Sequence, residues 1–264
     1  MKIASWNVNS IKARLPLLLD WLAARAPDIV CLQELKCVAE AFPAEAIAEA
    51  GYTAAVLGQK TYNGVAILSR LPMDVTERGL PGLSGEGADE ARYIEVLAEA
   101  GGGLGVVRVG SIYLPNGNPA PGPKYDKKRA FFAALTAHAR TLLAREEVLV
   151  LAGDYNVIPH PRDVHDPAAW AEDALFLPES RAAFAGLVNL GFTDAIRACH
   201  AGGGLYTFWD YQAGAWPKNR GIRIDHLLLS PRAADRLTGA GIDRERRALE
   251  KASDHVPVWC TLGP

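Results

Sequence analysis

Four apolar, strand-like runs in this chain have a carboxylate or an amide at one end. They are Ile29–Glu34, Val148–Asn156 with Gly153-Asp154-Tyr155-Asn156 at its close, Arg223–Leu229 with Asp225 near its start, and Ser253–Trp259 with Asp254-His255 near its start. A lone buried carboxylate is costly to desolvate, so strands that enter a core rarely keep acids at their rims without compensation. Acids gathered at neighbouring rims repel one another, and a bound cation would neutralise them. The rims are therefore read as one cation-binding site at the end of a β-rich core.

The coarse pattern supports that placement. Ile3–Asn7, Asp28–Gln33, Tyr52–Leu57, Gly64–Leu68, Tyr93–Leu97, Val106–Leu114, Val148–Ala152, Tyr206–Trp209, Ile224–Leu229 and Val256–Leu262 read as strands. Asp28–Gln33 and Val148–Ala152 are apolar on both faces, as central strands are. Helical spacing is predicted over Ile11–Ala24, Pro43–Ala50, Lys127–Leu143 and Pro178–Leu190, the last with Pro near its start and Gly191 past its end. Strands outnumber helices and do not alternate strictly with them. Two mostly antiparallel sheets packed face to face, with helices on the outer faces, fit better than a doubly wound parallel sheet.

With 264 residues, 49% of them hydrophobic, the chain is long enough for one large core, and a single domain over 1–264 is expected. Leu80–Gly87 and Pro115–Pro123 read as surface loops. The N-terminus enters a strand at once, with no secretory pattern, and no apolar stretch approaches a membrane span. Cys31, Cys37, Cys199 and Cys260 lack CxxC spacing, and Cys31 and Cys260 read as packed thiols. A reduced, cytoplasmic setting is expected. The net charge of −2 does not announce nucleic acid, yet basic residues cluster at Lys124, Lys127, Lys128 and Arg129 and again at Lys218, Arg220 and Arg223. Each cluster alone reads as a solvated surface.

The chemistry-bearing residues are oxygen-rich. A single Glu34 with Asn7 and Asn9 suits Mg²⁺, which uses few carboxylates and keeps several waters. No His/Cys group has zinc spacing. Gly153 permits a tight turn that lets Asp154 and Asn156 point into a cleft, where Asp154 could orient or deprotonate a water and Asn156 could stabilise a phosphoryl oxygen. A histidine such as His255, paired with a distant Asp225, has its tautomer fixed and its basicity raised. Taken singly, Glu34 reads first as a helix-start or surface acid, while Asp154-x-Asn156 reads equally as a turn cap and His255 as a satisfied rim histidine.

In series they are more specific. Asn7, Leu32-Gln33-Glu34-x-Lys36, Tyr113 within Ile112–Gly117, Gly153–Asn156, Asn219–Asp225 and Ser253-Asp254-His255 occur in this order. That series resembles the endonuclease/exonuclease/phosphatase superfamily, and within it the exonuclease III type of abasic-site endonuclease. The resemblance runs from Met1 almost to the end and implies a four-layered, deoxyribonuclease I-like sandwich. It implies that Glu34 is the main ligand of Mg²⁺ or Mn²⁺, with Asn7 and Asp254 in the same network. Asp154 would position or deprotonate the attacking water, Asn156 and Tyr113 would contact the scissile phosphate, and His255, held by Asp225, would polarise a phosphoryl oxygen or act as base. Arg92, Asn116, Lys124, Asn219 and Arg220 would face DNA. Trp209 and Trp216 would form an aromatic pocket that admits an extruded abasic nucleotide. Leu35 stands where the family usually has Thr, and Tyr125–Arg129 is more basic than usual; altered packing and firmer backbone contact are the respective expectations.

The implied substrate is double-stranded DNA with abasic sites or blocked 3′ ends, cut by a monomer. Two other readings stay open: a phosphatase or nuclease of the same fold acting on inositol phosphates, lipid phosphates or RNA, and a DNA-binding module that has lost its chemistry.

Overall fold

Residue parity along the strands sorts this chain into layers. In β1 (Lys2–Asn7), Ile3 joins one buried cluster while Ala4 and Trp6 join another. In β2 (Ile29–Gln33), Ile29 and Cys31 face as Ile3 does, and Val30 and Leu32 face as Trp6 does. Successive side chains point to opposite faces of a sheet, so an all-apolar strand must be covered on both sides. The computed structural model describes residues 1–264 and meets that demand with four layers.

The first sheet contains β1, β2, β3 (Thr53–Leu57), β4 (Val65–Ser69), β11 (Leu237–Ile242) and β12 (Val258–Leu262), in the order β11-β12-β1-β2-β4-β3. The second contains β5 (Met73–Arg78), β6 (Tyr93–Gly101), β7 (Gly105–Tyr113), β8 (Val148–Asp154), β9 (Thr193–Asp194) and β10 (Asp225–Leu229), in the order β5-β6-β7-β8-β10-β9. Only β1–β2 and β7–β8 run parallel, each joined by a helix as a parallel crossover requires. The two mostly antiparallel sheets flanked by helices are the architecture expected from the sequence.

Between the sheets lies a core that includes Ile3, Ile67, Val96, Val109, Val150, Leu227 and Val258. Outside the first sheet, α1 (Ile11–Arg25) lays Leu18, Trp21 and Leu22 over Trp6 and Leu32, and α2 (Ala44–Glu49) adds Ile47. Outside the second, α3 (Pro123–Leu143) and α4 (Pro178–Val188) lay Phe131, Leu135, Phe184 and Leu187 over Leu149, Leu151 and Leu228. The short α5 (Ala195–Cys199) and α6 (Pro231–Ala234) close the margin. Each fully buried Leu, Ile or Phe contributes about 1.5–3 kcal/mol, so all three apolar layers hold the sheets in register.

Three expectations need correction. β5 and β11 were not foreseen: Met73–Arg78 carries three charged residues, and Leu237–Ile242 carries two glycines. Tyr206–Trp209 is not a strand but a loop with isolated bridges from Phe208 to Ile222 and His255. The last strand begins at Val258 rather than Val256. Cys31, Cys37 and Cys260 are buried free thiols and Cys199 is exposed. No helix is long and apolar enough to cross a membrane.

Candidate active site

The parity that builds the inter-sheet core also builds the site. Continuing the inward-facing rows to the same end of the sandwich gives Asn7 on β1, Gln33 on β2, Tyr113 on β7, Asp154 on β8 and Asp225 on β10. Beneath them the core has already turned polar: Ser5 Oγ donates to Gln33 Oε1, and Gln33 Nε2 donates to Ser111 Oγ across the sheets. The site is the polar end of the core, and its spacing is set by strand register.

Asp154 and Asp225 are direct partners across the antiparallel β8–β10 pair. Like charges placed opposite one another destabilise a sheet, so a cation is needed between them. His255 supplies it. Its Nδ1 lies 2.9 and 3.2 Å from the two Asp225 oxygens, and its Nε2 lies 3.7 Å from Asp154 Oδ2. Burial pulls the His255 pKa down, but the Asp225 and Asp154 carboxylates outweigh burial and hold the imidazolium up to about 10. Burial pushes Asp154 well above the carboxylate range, and neighbouring Asp225 adds to this while His255 opposes it.

Tight backbone turns aim these groups. Gly153 stands where an added Cβ would meet Ile112 O at 2.0 Å, so no larger residue fits before Asp154. Asn156 (φ 47°) and Glu34 (φ 53°) adopt the left-handed conformation, strain of the kind that clusters at functional sites. Asp154 Oδ1 accepts from the Asn156 amide at 2.9 Å, and its Oδ2 accepts from Asn7 Nδ2 at 3.0 Å. Asn7 Nδ2 also donates to Glu34 Oε1 at 2.8 Å, and Lys36 pairs with Glu34 Oε2 at 2.9 Å. Burial raises the Glu34 pKa, yet Asn7, Lys36 and His255 together leave it below the usual value. Ligand atoms of Glu34, Asp154 and His255 all lie within 4.8 Å of one another. Asp254 sits at the rim and accepts from Asn9 Nδ2 at 3.0 Å. Three carboxylates, Glu34, Asp154 and Asp225, thus face one imidazolium and one ammonium, an oxygen-rich and net-negative set that suits a hard divalent ion.

Glu34, Asp154, Asp254 and His255 floor a cavity of about 300 Å³ walled by Trp170, Leu175, Phe208, Ile222 and Ile224 and reached by Tyr113, Asn116 and Asn156. An adjoining cavity of about 420 Å³ shares Tyr113 and Asn116 and adds Tyr62, Arg92, Lys124 and Lys127. The Arg92 guanidinium lies 4.7 Å from the centre of the Tyr113 ring and also pairs with Glu90. Burial, then Glu34 and Asp154, drive the Tyr113 phenol well above its ordinary pKa, so it stays protonated and able to donate.

The expected aromatic pocket of Trp209 and Trp216 does not form at the cavity. Trp209 has no exposed surface; it packs against Ala215 and Val256, and Trp216 meets it edge-on at 5.0 Å. A side chain with no accessible surface cannot stack on an extruded sugar. Asn219 is exposed, but its Oδ1 is engaged within the protein, accepting from Trp209 Nε1 at 3.2 Å and from Arg244 Nη2 at 2.9 Å. Arg220 is exposed on the same loop. The wall is instead built by Phe208, whose ring centre lies 5.0 Å from that of His255, and by Trp170. The alternation Tyr206–Trp209 carried the signal: when Trp209 turns in, Phe208 turns out. Trp170, Asn118 and Tyr62 lie on loops without a motif and left no comparable mark.

Both basic clusters are divided. Lys124 and Arg129 are exposed, but Lys128 is buried beneath the site. Arg223 is buried and grips Asp163 (2.8 and 3.2 Å) and Asp194 (2.7 Å), bracing the segment that carries Ile224 and Asp225.

Known proteins resemble this chain over its whole length. Exodeoxyribonuclease III of Haemophilus influenzae is 32% identical over 267 residues, covering 98% of each chain. Among solved structures, the 3′-5′ exonuclease NExo from Neisseria meningitidis superposes with a TM-score of 0.93 at 41% identity, covering 100% of both chains. An AP endonuclease from Archaeoglobus fulgidus superposes with a TM-score of 0.90 at 34% identity, covering 99% of both. The model of the Endonuclease/Exonuclease/phosphatase family matches residues 4–255, from the first strand to the site histidine, and the chain belongs to that family.

Proposed function

We propose that this chain is a divalent-metal-dependent DNA repair phosphodiesterase, which cleaves the backbone 5′ of abasic sites and clears blocked 3′ ends of duplex DNA by in-line attack of water. The observation that carries the reading is the convergence of Glu34, Asp154 and His255 on one small cavity with an aromatic wall. Support for DNA comes from relatives described as exodeoxyribonuclease III, as an AP endonuclease and as a 3′ phosphatase bound to a product DNA hairpin.

Hydrolysis of a phosphodiester needs a positioned water, neutralised non-bridging oxygens and relief of charge on the leaving oxygen. Glu34 would hold the Mg²⁺ or Mn²⁺ ion, with Asn7 orienting its carboxylate and Asp254 holding Asn9 at the rim. When bound, the ion supplies Lewis-acid neutralisation of a phosphoryl oxygen. Asp154, kept basic by burial, orients and deprotonates the water. The His255 imidazolium, its proton secured by Asp225, donates to a phosphoryl oxygen. Tyr113 and Asn156 donate to the same phosphate. Phe208 and Trp170 wall the place of the sugar. Arg92, Asn116, Lys124 and Arg220 lie along the backbone path. The protein works as a monomer in the cytoplasm.

The test is a substrate panel with Mg²⁺ and with a chelator: duplex DNA bearing an abasic site, duplex DNA with a 3′-phosphate, intact duplex, and a phosphoinositide. Metal-dependent cutting of the first two, without phosphoinositide hydrolysis, is expected. Preference for the phosphoinositide, or chelator-resistant cutting, would refute the proposal.

A further inference from the structure

Of the two buried cluster residues, Arg223 is paired with acids and Lys128 is not. Lys128 sits on the buried stripe of α3 with Phe131, Phe132 and Leu135, has no exposed surface, and forms no ion pair. Burying an unpaired ammonium is expensive, and a Leu or Met would pack such a stripe at no such cost. The ammonium is spent on two backbone carbonyls. Nζ donates to Asn116 O at 2.9 Å and to Asn156 O. Asn116 and Asn156 belong to separate turns, one after β7 and one after β8, and both reach the reaction cavity. Apart from Lys128, side chains link these turns through Asn116 Nδ2 to Asn156 Oδ1, a long 3.4 Å contact, and Asn156 Nδ2 to Leu114 O at 2.9 Å. The stem is closely fitted too: a Cβ on Gly117 would meet Lys128 Cδ at 2.7 Å.

We infer that Lys128 is a positioning residue, whose buried ammonium locks the Asn116 and Asn156 turns together so that Asn156 and Asp154 keep their aim on the phosphate. This deepens the proposed function and rests on it for the catalytic consequence. The charge also lies in the field of Asp154 and Asp173; burial lowers the Lys128 pKa to about 7, with both acids opposing. A methionine at 128 would fill the stem's volume and remove the donors. An arginine would restore donors and charge.

The experiment compares wild type, Lys128→Met and Lys128→Arg by amide hydrogen exchange without substrate, and by steady-state cleavage of abasic-site and 3′-phosphate duplexes. Lys128→Met is expected to speed exchange in peptides covering Leu114–Asn118 and Asp154–Ile158 while leaving the core of α3 protected. It is expected to lower kcat by about 10²-fold with KM little changed, the cost of a small misplacement of catalytic groups. Lys128→Arg should recover much of both. Unchanged exchange in the two turns, a loss confined to KM, or loosening spread evenly over α3 would each overturn the inference. If wild type cleaves neither DNA, the proposed function fails, and the exchange comparison still decides the tie between the turns.

Discussion

Asp225→Asn tests the electrostatic centre of the site. The substitution keeps the shape and an acceptor oxygen for His255 Nδ1, now 2.9 Å from Asp225 Oδ2, but removes the charge. At that separation and an effective dielectric near 20, one carboxylate is worth about 6 kcal/mol to the imidazolium, on the order of four pH units. The asparagine dipole returns part of this, so the His255 pKa should fall from about 10 to near neutrality. Nuclear magnetic resonance of the imidazole nitrogens in metal-free protein measures that value directly. In cleavage assays with saturating Mg²⁺, the alkaline limb of kcat should move toward neutral pH by a similar span. At mildly alkaline pH, loss of the positive donor should lower kcat by about 10²–10³-fold, the scale of a lost oxyanion contact. An imidazole that titrates at the wild-type pH in the variant would refute the coupling, and an unchanged alkaline limb would refute the donor role.

Glu34→Gln should raise the Mg²⁺ concentration needed for half-maximal activity by about tenfold or more, since the set keeps its shape but loses its main anionic ligand; an unmoved metal titration counts against the ligand role. Phe208→Ala should reduce cleavage of abasic-site DNA with little loss of melting temperature. Trp209→Ala should do the opposite, costing about 3–5 kcal/mol in denaturant unfolding, as for a buried aromatic. His226 is held neutral: burial, with Arg223 beside it, lowers its pKa to about 4. Its unfolded value is near 6.5, so the unfolded chain binds the extra proton between these limits. Stability is full above about pH 6.5 and falls toward pH 4, by on the order of 3 kcal/mol, and His226→Gln should flatten that limb in urea titrations.

How far the sequence carried this reading depended on whether a residue sits on a strand. Asn7, Asp154 and Asp225 could be placed because apolar runs of fixed period lead directly to them, and hydrogen-bonded register turns position in sequence into position in space. Glu34 and His255 each lie close to such a run. The failures lie in loops. As an aromatic residue in the loop before Asn219-Arg220, Trp209 reads as a pocket wall, yet its bulk drives it into the cluster with Ala215 and Val256. Nothing in the sequence marks Trp170, because the segment around it has no period. Charge misled in the same way: Lys128 and Arg223 read as surface residues within basic clusters, whereas each folds inward to satisfy carbonyls or acids that a sequence does not reveal.

That division has a chemical consequence. The acids, the imidazole and their amide partners stand at strand ends of two sheets locked by a common core, so their mutual distances resist change in the loops around them. The groups that line the rest of the two cavities, among them Tyr62, Lys124, Trp170 and Phe208, stand on connecting segments or at a helix start. Loops tolerate insertion and substitution far better than a packed sheet does. One phosphoryl-cleaving centre can therefore serve abasic sites, 3′ ends or exonucleolytic steps as the loops vary. Lys128 sits at the boundary between the two regimes, rooted in a core-facing helix and holding two loop carbonyls. A change of substrate preference within this family should consequently reside in the cavity wall and not in the acids.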